Sequence, residues 1–215
     1  AVLGAAQYAS RAQLNYKGTV AIAPASNLAS ILTIGEQQAS TLPINYQIQM
    51  LAQLDTYTAL IVAGMQGHNK SVTYNEVFKN DTVILAPIAE AECSSTVGVQ
   101  LGTAMSIYAA GIGQGTLTGY GRLQSGFMSI PVIDTFLKKD SQPGLAPLNK
   151  KVFIYQGEAD TTVPKAATDL LIASMKANGT SASNIQYTTS AAWDHGTVYT
   201  QNYTSFVDNI DSLFQ

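Results

Sequence analysis

The stretch 151–190 constrains the chain most. KVFIYQG has an apolar and aromatic core, VFIY, and stops at a Gly/Asp turn, GEAD. VPKAATDLLIASMKANG follows at 163–179, with Pro164 in its first turn and Gly179 at its end, the start and stop signals of a helix. NIQYTTS, 184–190, then alternates like a second strand. A strand that is apolar on both faces must be covered by helices on both sides. Strand, helix, strand in that order therefore predicts an α/β unit with a parallel sheet.

The front of the chain extends this reading. Residues 1–14 are rich in Ala, Leu, Gln and Arg, with Leu3, Ala6 and Ala9 at helical spacing. Lys17-Gly18 closes that segment. GTVAIAPAS, 18–26, is a short apolar run that ends at Pro24 and reads as another buried parallel strand. From 27 to 149 the character changes. Stretches such as INYQIQMLAQLDTYTALIVAG (44–64) carry helical spacing, and GIGQGTLTGYGR (111–122) supplies a glycine-rich joint. AAWDHGTVY reads as a loop into a last helix at 197–214. The predicted class is α/β: segments 1–26 and 150–215 form a partial core of parallel strands with flanking helices. Segment 27–149 is a large, mostly helical insertion.

Composition narrows the function classes. Charged residues are 12% of the chain, against ~25% in ordinary soluble proteins. The polar surface is thus built from Ser, Thr, Asn, Gln and Tyr, a bias that points to a secreted or periplasmic protein. A net charge of -3 provides no basic footprint and argues against nucleic acid as a partner. No run reaches the ~18 apolar residues of a membrane span. Cys93 is the only cysteine, which excludes an internal disulfide and a multi-thiolate metal site. It reads as a small buried residue of a helical cap. The alternative is a disulfide partner on another polypeptide.

The chemistry gathers at Asp160 and His195. Asp160 follows the C-terminal end of an apolar strand, the edge where catalytic groups collect in open α/β sheets. His195 lies in the loop WDHGT, one helix and one strand later. A helix crossover between neighbouring strands brings these two loops side by side. An aspartate that orients an imidazole through Nδ1–H is half of a nucleophilic triad. The competing reading is that Asp160 only caps the next helix. Asp194 is a rival acid whose adjacent position points its side chain elsewhere. Glu158 would project from the same rim. Trp193 is a candidate for lining the substrate pocket, against simple packing beneath the histidine loop.

VFIYQGEADTTVP, followed by a helix, a strand and DHG, resembles the acid and histidine segments of α/β-hydrolases, and is most similar to the secretory lipase family. AVLGAAQYASRAQLNYKGTVAIAPASNLASIL resembles that family's helix after the nucleophile elbow, the next strand and the start of its lid. The resemblance covers both ends of the chain, and the middle by position only. It implies a triad in the chain order Ser, Asp, His, with Asp160 as acid and His195 as base. It also implies a lid inserted before the acid-bearing strand, and no metal or organic cofactor.

One departure is large. The elbow pattern G-x-S-x-G occurs nowhere in the 215 residues. On the resemblance, Ala1 falls a few residues after the missing serine, and the chain reads as a C-terminal portion. It is then a lipase or esterase by lineage, acting on a small-molecule or lipid ester, and inactive alone. Strand 18–26 would expose an apolar edge. Its expected partner is the N-terminal fragment of the same enzyme, or a second copy of this chain. Ser26 and Ser125 are the substitute nucleophiles to consider, but neither sits in a strand–sharp turn–helix context. His68 in GMQGHNK reads as a surface residue without metal-ligand spacing, and GIGQGT lacks the lysine of a phosphate loop. The alternative to an enzyme is a non-catalytic binding or interaction module on a hydrolase-like scaffold.

Overall fold

The computed structural model describes residues 2–9 and 13–215. The order of regular elements is α1 (Val2–Ala6), β1 (Gly18–Ile22), α2 (Leu28–Ala39), α3 (Ile44–His68), α4 (Tyr74–Val77), α5 (Asn80–Leu85), α6 (Ser94–Ala110), α7 (Pro131–Thr135), β2 (Lys151–Gly157), α8 (Lys165–Ala177), β3 (Ile185–Ser190), α9 (Thr197–Thr200) and α10 (Tyr203–Ser212). The fold is mixed α/β, with one parallel three-stranded sheet and flanking helices. The chain divides into two compact units, Ala1–Ile31 with Leu137–Gln215, and Leu32–Phe136.

In the first unit the strand order is β1-β2-β3. β2 is central because its sequence can be buried on both faces. Val152 and Ile154 point to one side, where they pack with Leu3 and Ala6 of α1 and with Leu171, Ile172 and Met175 of α8. Phe153 and Tyr155 point to the other side, against Val198 of α9 and Phe206 of α10. Period-two alternation thus feeds two apolar layers at once. Each of these large side chains contributes ~1.5–3 kcal/mol by leaving water. β1 and β2 are in register from Gly18 opposite Lys151 to Ile22 opposite Tyr155. β2 and β3 run from Val152 opposite Ile185 to Gly157 opposite Ser190.

Several expected boundaries shift for local reasons. The first helix covers only Val2–Ala6 and passes into turns at 7–9. The parts of the 1–14 reading at 1 and 10–12 lie outside the described residues. Leu3, Ala6 and Ala9 are buried, as their spacing predicted. β1 stops at Ile22 rather than 26, because Ala23 adopts a left-handed φ of 41°. α8 runs from Lys165 to Ala177, and Gly179 follows at φ 95°, which suits glycine. The last helix is two helices. Asn202 breaks it by turning its amide onto the Val198 carbonyl (2.9 Å).

The Leu32–Phe136 unit is helical, and its only sheet-like pairing is the isolated Phe78–Leu123 bridge. α3 packs along α6, where Gly98 and Gly102 face Thr56 and Ala52. Arg122 ties three segments by two forks. Its guanidinium holds Asp55 of α3 at 2.7 and 2.9 Å and Glu36 of α2 at 2.6 and 3.1 Å. The segment Leu137–Asn149, expected with the insertion, belongs instead to the sheet-bearing unit. Leu148 lies in the same apolar cluster as Val152 and Leu171. Cys93 is exposed, at the residue preceding α6, and not buried as expected.

Candidate active site

Asp160 and His195 meet. β2 ends at Gly157, and the turn after it carries the acid. β3 ends at Ser190, and the loop after it carries the histidine. His195 Nδ1 lies 2.8 Å from Asp160 Oδ2. A carboxylate only accepts, so Nδ1–H is the donor. The tautomer follows, and Nε2 is left free of the acid. The Asp160 side chain is fully buried, while the His195 ring is 48% exposed. A buried orienting acid behind a reachable imidazole is the arrangement a general base requires.

The two loops are stitched together. Glu158 N–H donates to the Ser190 carbonyl (3.0 Å), and Ala159 N–H to the Trp193 carbonyl (3.1 Å). Gly157 makes that approach feasible, since a Cβ there would collide with the Trp193 carbonyl. The other oxygen of Asp160, Oδ1, accepts from the N–H groups of Thr162 and Val163 at 2.9 and 2.8 Å. The two readings of Asp160 therefore coexist: one oxygen shapes the turn before α8, the other meets the histidine.

The histidine loop has its own brace. Asp194 Oδ1 accepts from Gly196 N–H, Thr197 N–H and the Thr197 hydroxyl at 2.9, 2.7 and 2.8 Å. The Thr197 backbone N–H, first among these, holds the Asp194 carboxyl below the usual carboxylate range. Asp194 is occupied with its own loop, as its position predicted. The Asp160 hydrogen bond raises the His195 pKa above the ordinary 6.5, against the opposing pull of partial burial.

The remaining candidates fall elsewhere. Trp193 is half-buried against the Phe153–Tyr155 layer, and its indole N–H donates to Gln201 (3.1 Å). Glu158 accepts from the Thr189 hydroxyl (2.7 Å) at the exposed rim. Ser26 is fully buried, with Oγ 3.4 Å from the Ala167 carbonyl. Ser125 is exposed and lies in the helical unit. Neither serine hydrogen-bonds His195 among the described residues. His68 is the last residue of α3. Among the described residues no cluster of three or more His, Cys, Asp or Glu has the arrangement of a metal site.

Sequence reasoning missed Gln156, which is fully buried beside the acid. Its Nε2 reaches Asp160 Oδ2 (3.3 Å), and its Oε1 accepts from the Thr168 hydroxyl (2.6 Å). One signal was present: a glutamine at the end of an otherwise apolar buried strand must find partners. Comparisons of the chain with protein-family models, with curated proteins and with solved structures return no match.

Proposed function

We propose that this chain supplies the acid, the base, the lid and the C-terminal core of a serine ester hydrolase of the lipase or esterase type. One observation carries the reading: the 2.8 Å Asp160–His195 contact, with the acid buried and the ring exposed, at the C-terminal edge of a parallel sheet. In this reading His195 Nε2 takes the proton of a serine hydroxyl as its oxygen attacks the ester carbonyl. The proton then passes to the departing alcohol. Asp160 holds the ring tautomer and stabilises the imidazolium. The substrate is a small-molecule or lipid ester, and the mechanism calls for no metal or organic cofactor. The Leu32–Phe136 unit serves as the lid. A secreted or periplasmic setting fits the low charge content.

The nucleophile comes from polypeptide outside these 215 residues. β1 supports that assignment, because it has a single neighbour, β2, in the described sheet. Its other edge is suited to the strand that carries the serine, and a second copy of the chain is the competing occupant. The test pairs intact mass under denaturing conditions with hydrolysis of a short-chain p-nitrophenyl ester. A second polypeptide bearing G-x-S-x-G, together with turnover, is the expected result for the assembled enzyme. This chain alone is expected to show none. Such an assembly without turnover would favour the alternative, a binding module on a hydrolase-like scaffold, for which the absent elbow motif argues.

A further inference from the structure

Gln156 occupies a position that no general base needs for its own chemistry. It is the last residue before Gly157 in β2, and it is fully buried. Its amide orientation is unambiguous. Nε2 faces two carbonyls, Gly157 O at 3.0 Å and Val163 O at 2.9 Å, which can only accept. The same nitrogen, sharing its two N–H bonds among three acceptors, also lies 3.3 Å from Asp160 Oδ2, the oxygen that meets His195. Oε1 is latched from behind by the Thr168 hydroxyl of α8 at 2.6 Å, and Thr168 is also fully buried. One side chain thus joins the end of β2, the acid, the residue two before α8 begins and α8 itself.

We infer that Gln156 is a positioning residue for the Asp160–His195 pair, and that Thr168 locks Gln156 in its working orientation. The inference rests on the reading of Asp160 and His195 given above. Two backbone N–H groups already hold Oδ1, but both belong to the turn itself and move with it. Gln156 is the side chain that ties the turn to the strand beneath and sets where Oδ2 points. Without it the carboxylate keeps its backbone donors and loses its aim. A buried polar group with every partner in place specifies one geometry, and a partly satisfied one does not.

The test is a histidine titration by NMR on the whole chain, which needs no nucleophile and no substrate. The chain has two histidines, so His68→Ala assigns the His195 signal. Asp160→Asn is the reference for a lost pair and should bring His195 down towards the ordinary 6.5. Gln156→Met keeps the length and removes both hydrogen-bonding ends. It should move the His195 pKa most of the way towards the Asp160→Asn value, and abolish the downfield Nδ1–H signal. Thr168→Val keeps the shape and should shift the pKa in the same direction by less. If Gln156→Met fails to fold, Thr168→Val decides. A merely structural glutamine would lower the melting temperature and leave the titration of the folded protein unchanged; that result overturns the inference while the pair stands. Should Asp160→Asn also leave His195 unmoved, the pair itself falls, and this inference with it.

Discussion

His195 is protonated more readily than a free imidazole because the Asp160 carboxylate sits against Nδ1. That has two consequences of opposite sign. A histidine whose folded pKa lies above its unfolded value of about 6.5 stabilises the fold fully below that value. The contribution fades as pH rises through the folded pKa. The urea midpoint should therefore fall over that window, and His195→Ala should remove the slope. On the proposed hydrolase reading, catalysis runs the other way. A general base must be neutral, so ester hydrolysis by the assembled enzyme should rise with pH through a pKa above 6.5. Asp160→Asn there should lower kcat by ~10⁴-fold, the loss seen when a triad histidine is given the wrong tautomer. Gly157 has no such freedom of chemistry, only of space. Gly157→Ala should cost about 1–3 kcal/mol in urea unfolding, as overpacking does, and displace the histidine loop.

Among the elements, β2 and the α2–α3 pair are held by different physics. β2 is fastened by two apolar layers, so no single contact decides its place. α2 and α3 share Arg122, whose forks span Glu36 and the fully buried Asp55. Burial pushes the Asp55 carboxyl up, while the Arg122 charge opposes that shift. Both carboxylates, Asp55 before Glu36, hold Arg122 firmly protonated against its own burial cost. Removing one partner of such a pair leaves a buried charge without compensation. Arg122→Ala should therefore destabilise the helical unit by about 3–5 kcal/mol, read as a lower urea midpoint. Lys165 and Asp169 form an i,i+4 pair on α8 with both ends partly in water. Lys165→Ala should change stability by less than about 0.5 kcal/mol.

For the whole molecule the open side of β1 is the feature with consequences. Ala23 N–H still donates to the Tyr155 carbonyl (2.8 Å), so the alternate residues Val20 and Ile22 direct their backbone groups to the side that pairs with no strand among the described residues. Unpaired strand edges recruit strands. Sedimentation across a dilution series should show a complex, either with a nucleophile-bearing polypeptide or between copies of the chain. A monomer that persists at every concentration, with that edge exchanging its amide protons freely, would defeat the prediction. Near the edge, α10 leaves Tyr203, Val207 and Ile210 exposed at helical spacing, with Phe214 exposed beyond its end, and the same dilution series will report any cover over them.

Sequence alone determined what depends on neighbours a few positions apart. The buried strand at 151–157, the helix punctuated by Pro164 before it and Gly179 after it, the alternating strand at 185–190 and the helical character of the middle are all local signals. The side-by-side placement of Asp160 and His195 followed from one topological rule about parallel strands. Tertiary structure decided what depends on partners far along the chain. The aim of Asp160 relies on Gln156 and Thr168, the closeness of the loops on Gly157 beneath Trp193, and the union of α2 with α3 on Arg122. No periodicity announces such pairings, because each is fixed by packing between segments whose spacing in sequence carries no repeat.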